Sequence, residues 1–177
     1  MGNDWMVLLQ QQNQLEKVMK TNQKTEQFGL ALTKQDAELI LSERKSSLLQ
    51  QRRIEFGEGM ITKIIDEFCD SDFIDQNNYV DTLIRLQEIF YLYKNEMMDE
   101  ITDDELLNFM KEQFETVCFG DLDYLETTCL AVFSQAVRAG YEGYKASQGC
   151  GEYTEFDEVK RWDPELYMEA LRELFWR

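Results

Sequence analysis

An all-α fold, a compact bundle of about six to seven helices around one central apolar helix, is what this sequence predicts. The chain has one proline and nine glycines in 177 residues, and no convincing run alternates apolar and polar residues as a half-buried strand does. Apolar residues instead recur at three- and four-residue spacing along most of its length. The stretch from Asn78 to Met98 is apolar on nearly every side: Leu83, Leu86, Ile89, Phe90, Tyr91 and Met97 point in most directions of a helical wheel. A helix of that kind is surrounded by other helices. Burying about six such side chains contributes roughly 10 to 20 kcal/mol of gross transfer free energy, most of which conformational entropy cancels.

Taken in order, residues 5 to about 22 read as a helix with Trp5, Leu8, Leu9, Leu15, Val18 and Met19 near helical spacing and a Gln/Asn-rich polar side. We expect residues 1–28 to be an N-terminal helical arm, 29–140 the helical core domain, and 141–177 an irregular linker with a C-terminal helix packed on the core. Thr33 with Asp36 three residues later is an N-cap with a helper carboxylate. The helix it opens carries Ala37, Ile40, Leu41, Leu48 and Leu49 on one face, with Arg44 inside that face and Arg52 and Arg53 two turns on. A buried Arg44 needs an ion-pair partner, and Glu88 on the central helix is the expected one, with Arg53 as its alternative cation. Gly57 and Gly59 predict a bend or close crossing. Met60, Ile61, Ile64, Ile65 and Phe68 give an amphipathic helix, and Asp70 to Asn78 a polar loop with Phe73 and Ile74 turned inward and Asn78 as cap of the central helix.

Beyond the central helix, Thr102 as N-cap, Glu105 as capping-box acid and Ile101 with Leu106 as hydrophobic staple are the best start signal in the chain. Leu106, Leu107, Phe109, Met110, Phe114 and Val117 form the buried face of that helix. Gly120 and Asp121 separate it from another, with Leu122, Leu125, Cys129, Val132, Phe133, Ala136 and Val137 at helical spacing. Gly140 ends it, 141–154 is glycine-rich and irregular, and Asp163 with Pro164 opens a last helix.

Composition narrows the chemistry. The net charge is −17, spread unevenly: residues 1–56 hold 8 Lys/Arg against 7 Asp/Glu, 57–126 hold 4 against 19, and 127–177 hold 6 against 9. An acidic middle disfavours direct nucleic-acid binding, which needs a basic face. The absence of histidine removes Ser-His-Asp and Cys-His catalysis, H-E-x-x-H zinc sites and the E-x-x-H di-iron bundle. Cys69, Cys118, Cys129 and Cys150 form no C-x-x-C pair, and the first three sit among apolar neighbours, so free thiols are expected. No apolar run reaches the length of a membrane span, and the N-terminus lacks a basic region and cleavage site of a signal peptide. A cytoplasmic protein with no membrane contact is the expectation.

No constellation gathers into a catalytic, cofactor or metal site. The run from Asp70 to Asp81 fails as an EF-hand, having Asp75 where the loop needs glycine and the short Asp81 at its last position. Paired acids at Glu55/Glu58, Glu67/Asp70 and Glu112/Glu115 resemble those of magnesium-dependent all-α nucleotide hydrolases, but the first two pairs lie too close in sequence for separate antiparallel helices. Asp103-Asp104-Glu105 sits in a first helical turn, where the macrodipole favours negative charge. Cys150 between two glycines lacks a histidine base. Arg44, Arg52, Arg53 and Glu88 remain as candidates for an ion-pair or interaction site, with Lys45 beside them as part of a small anion-binding edge.

The runs RRIEFGEG, FCDSDFI, NYVDTLIRLQEIFYLYKNE and DDELL resemble a family of small bacterial proteins described only as a domain of unknown function, over about residues 30–140. The resemblance implies no activity, cofactor or site residue. The function that best fits is a non-enzymatic helical protein that binds a protein partner or itself. An acidic nucleic-acid mimic and a magnesium-dependent nucleotide hydrolase are the alternatives.

Overall fold

Two threonines set the frame of the molecule. In the computed structural model, which describes residues 3–57 and 59–139, Thr33 and Thr102 each accept a hydrogen bond from the backbone N–H three residues on, and Asp36 and Glu105 accept one back from the threonine N–H. Both capping boxes are those the sequence predicts. They open two of the six longer helices among the described residues: α1 (Asp4–Lys20), α2 (Lys34–Gln51), α3 (Met60–Phe68), α4 (Tyr79–Glu96), α5 (Asp103–Thr116) and α6 (122–138), with short helical turns at Asn22–Thr25 and Glu26–Phe28 between α1 and α2. There is no strand among the described residues.

The central helix is α4. Tyr79, Leu83, Leu86, Ile89, Phe90 and Tyr91 are all nearly inaccessible, and α2, α3, α5 and the first turn of α6 pack around them. Two polar residues buried in α4 are tied to its neighbours: Gln87 donates through its amide nitrogen to the Ile40 carbonyl of α2 at 3.3 Å. Lys94 donates to the Ile101 carbonyl at 2.7 Å and pairs with Asp103 at 2.9 Å, which clamps the connection into α5. α1 lies on α2 and α3, with Val18 fully buried and Leu15 and Met19 packed on the core. Aromatic pairs join the far layer, Phe68 to Phe114 edge-on at 5.3 Å and Phe109 stacked on Phe133 at 3.8 Å.

Within the helices the structure departs from the sequence reading at Leu49, which is exposed rather than on the buried face of α2, at Asn78 and in α6. Asn78 does not cap α4 with its side chain; it accepts from the Asp75 N–H at 2.9 Å and donates to the Phe73 carbonyl at 3.1 Å. It braces the acidic loop instead. In α6, Leu122–Tyr124 and Ala131–Arg138 are α-helical, but Leu125–Leu130 between them is π-helical. The wider turn brings Leu125 and Leu130, five residues apart, into the core together with Cys129, and the Tyr93 hydroxyl donates to the Glu126 carbonyl within it. The expected helix stop at Gly140, the linker 141–154 with Cys150 and the helix from Asp163 lie outside the described residues.

Candidate functional site

The site is built where α2 ends. Arg52 takes the left-handed conformation (φ 55°), which turns the chain off the helix axis, and Arg53 N–H returns to the Leu48 carbonyl at 2.9 Å. From there alternate residues face opposite ways. Arg53 points inward and forks onto Asp99 at 2.8 and 3.1 Å, with Asn95 at 2.7 Å. Asn95 in turn donates to the Gln51 carbonyl at 2.7 Å. Glu55 also points inward, and its Oε1 accepts from Arg44 Nε at 2.8 Å, from the Tyr91 hydroxyl and from the Met60 N–H at 3.3 Å. Ile54 between them and Phe56 after them point out, 86% and 88% exposed.

One largely buried ion pair, Arg44–Glu55, and one at the surface, Arg53–Asp99, thus flank two large apolar side chains held in water, which is costly for the chain on its own. Beside them runs a groove of about 1230 Å³ between α1 and α2, lined by Leu8, Leu15, Met19, Leu41, Leu48 and Ile54, with Lys34, Glu38 and Lys45 at its edges. Gln14 of α1 donates to the Gly57 carbonyl at 2.9 Å and ties the loop to the opposite wall.

Charge in the support is settled by geometry. The Arg53 guanidinium holds the Asp99 carboxyl below its usual range, and Asp99 raises Arg53 in return. Burial, with the Glu55 carboxylate adding to it, pushes the Tyr91 hydroxyl well up. Three donors on one oxygen make Glu55 a structural acceptor.

Of the residues singled out in the sequence, Arg44 and Arg53 come together here. Arg52 is exposed at the turn. Glu88 does not meet Arg44 or Arg53; it lies 3.8 Å from Arg85 one turn back on its own helix, because Arg44 is satisfied by a carboxylate eleven residues on. Burial raises the Glu88 carboxyl, and Arg85 opposes it. Tyr91, Asn95 and Asp99 carry no signal of a site in the sequence, and Glu55 stands there only as one of the paired acids with Glu58. The signal for the loop was R-I-E-F itself, two charges alternating with two apolar residues. As for the paired acids, Lys111 lies between Asp70 at 2.6 Å and Glu115 at 3.2 Å, and no cluster suited to a metal ion occurs among the described residues. No helix among them is long and apolar enough to cross a membrane.

The ion-paired core that supports the loop falls inside a segment, residues 17–143, that matches the model of the family of unknown function DUF6323. The chain belongs to that family. The DUF6323 match covers α2 to α6 and begins in the last turn of α1, so Leu8 and Leu15 on the groove wall precede it while Arg44, Arg53, Glu55 and Tyr91 lie within it. No curated protein and no solved structure matches the chain.

Proposed function

We propose that this DUF6323 protein is a non-enzymatic binding protein whose groove between α1 and α2 receives an amphipathic helix of a protein partner. The observation that carries it is the exposed pair Ile54 and Phe56, with Ile54 on the wall of the groove and Phe56 in a smaller adjoining pocket against α1, flanking the ion-paired Glu55. Contiguous exposed apolar surface of this kind is a mark of interaction sites, and a helix laid in a groove through apolar anchors is a common mode. The α2 wall from Lys34 to Leu49 is about 22 Å long at about 1.5 Å per residue, the length of a helix of about fifteen residues. Charge selects the partner further: residues 1–56 are near neutral while 57–126 carry fifteen excess acids. A helix with an acidic polar face is therefore repelled by the acidic middle of the chain and better tolerated here.

A role as an acidic nucleic-acid mimic fits less well, because acids of the middle segment already engage cations of the same chain: Asp66 with Lys24, Asp104 with Lys63, and Glu126 with Arg85. The test places a photo-crosslinking residue at Ile54, at Leu41 and, as control, at Glu112. Crosslinks from the first two to one helical segment of a partner, lost in F56D at unchanged unfolding midpoint, are the expected result. Crosslinks from Glu112 alone overturn it, and crosslinks to a second copy of the chain turn it into self-association.

A further inference from the structure

Apart from the groove, the molecule holds two sulfurs in contact. Cys118 lies just past the end of α5 and Cys129 in the π-helical stretch of α6, and their Sγ atoms are 3.6 Å apart. Both are free thiols among buried residues. We propose that Cys118 and Cys129 form a reversible dithiol–disulfide pair that a hydroperoxide oxidises.

Backbone features on both sides place the two sulfurs. Cys118 N–H bonds the Gln113 carbonyl at 2.8 Å and Gly120 N–H the Phe114 carbonyl at 3.0 Å, a tight reversal through left-handed Phe119 and Gly120. It turns Cys118 back toward α6. On the other side, the extra residue in the π turn brings Cys129 and Leu130 inward side by side. Bond formation needs the sulfurs to close from 3.6 Å to about 2.05 Å, a movement that side-chain rotation at the two residues can share. Cys118 keeps 6% exposure while Cys129 keeps none, so a small oxidant approaches from the Cys118 side. The hydrogen bond between the sulfurs lowers the Cys129 thiol and, together with burial, raises that of Cys118.

The chemistry balances with the peroxide as oxidant. One sulfur takes an oxygen as the O–O bond breaks, giving a sulfenic acid and releasing one molecule of water or alcohol. The other sulfur then attacks the first; the S–S bond forms, the S–O bond breaks, and a second molecule, water, leaves with the remaining thiol proton. Two electrons pass from the dithiol to the peroxide, and a reducing thiol reverses the change by exchange.

The test uses the full chain, hydrogen peroxide as probe, and alkylation after denaturation. Trypsin leaves both cysteines in one peptide, Glu112–Arg138, and cleavage after Glu126 separates them. After oxidation of the native protein, that peptide is expected to be two hydrogens lighter, to take up no alkyl group and to stay joined after cleavage at Glu126. Dithiothreitol should restore both alkylation sites. Two alkyl groups on the peptide after native oxidation, pairing of either cysteine with Cys69 or Cys150 instead, or sulfinic acid without a link would each overturn the proposal. The wild-type peptide map decides by itself, so the outcome does not depend on whether C118S or C129S folds.

Discussion

Glu55 carries three hydrogen bonds on one carboxylate oxygen, and one of its donors, Arg44, is almost wholly withdrawn from water. Removing the carboxylate leaves a buried guanidinium unpaired. Glu55→Ala is therefore expected to lower unfolding free energy by about 3 kcal/mol, within the range for breaking a buried pair, as read by urea denaturation. Its partial exposure places it at the lower end of that range. Asp99 makes a separate prediction in pH. Its pKa is held below the ordinary 3.8 by Arg53, so the folded state binds that proton less readily than the unfolded chain. The stabilisation is complete above the ordinary value and is lost as pH falls through the depressed one. Asp99→Asn should flatten that acid limb of a plot of urea midpoint against pH, and an unchanged limb would contradict the assignment.

At the scale of elements, the connections decide what the helices can do. Gly120 sits at φ +84° with its α-hydrogen side against Phe73, where an added Cβ would lie 2.7 Å from the Phe73 Cβ. Gly120→Ala should cost about 1–3 kcal/mol through strained backbone and displaced packing, again measured by denaturation. Connections also mark the limit of what was legible in the sequence. The capping boxes at Thr33 and Thr102 could be read because their signals are local, three residues from donor to acceptor. The central helix could be read because its apolar residues leave no polar face. The partner of Arg44 could not: choosing Glu55 over Glu88 depends on the path of the chain after Arg52, which a single left-handed residue sets. The π stretch escaped for a similar reason. Leu125, Cys129 and Val132 fit α-helical spacing on their own, and only Leu130 buried beside Cys129 shows that the turn holds an extra residue.

For the molecule as a whole, burial of tyrosine hydroxyls links folding to alkaline pH. Burial pushes Tyr79 and Tyr93 up to about 12 from 10.0, so the folded state keeps these protons more tightly than the unfolded chain. That stabilisation is present below pH 10 and is lost as pH rises toward 12. Tyrosinate absorbance and loss of helical circular dichroism should consequently rise together above about pH 10; full ionisation with the helices intact would refute the linkage. The acid-side and alkaline-side limits come from different places, ion pairs at the rim and phenols in the core. With no histidine in the chain, no imidazole titrates between them near neutrality. The clamp on Lys94 has a consequence of another kind. Its ammonium is enclosed by the Ile101 carbonyl and Asp103, with the side chain 6% exposed. An amine-acylating reagent that decorates exposed lysines such as Lys34 and Lys63 within seconds should reach Lys94 only when the junction of α4 and α5 opens, so acylation at that one position serves as a built-in clock for how often the bundle comes apart.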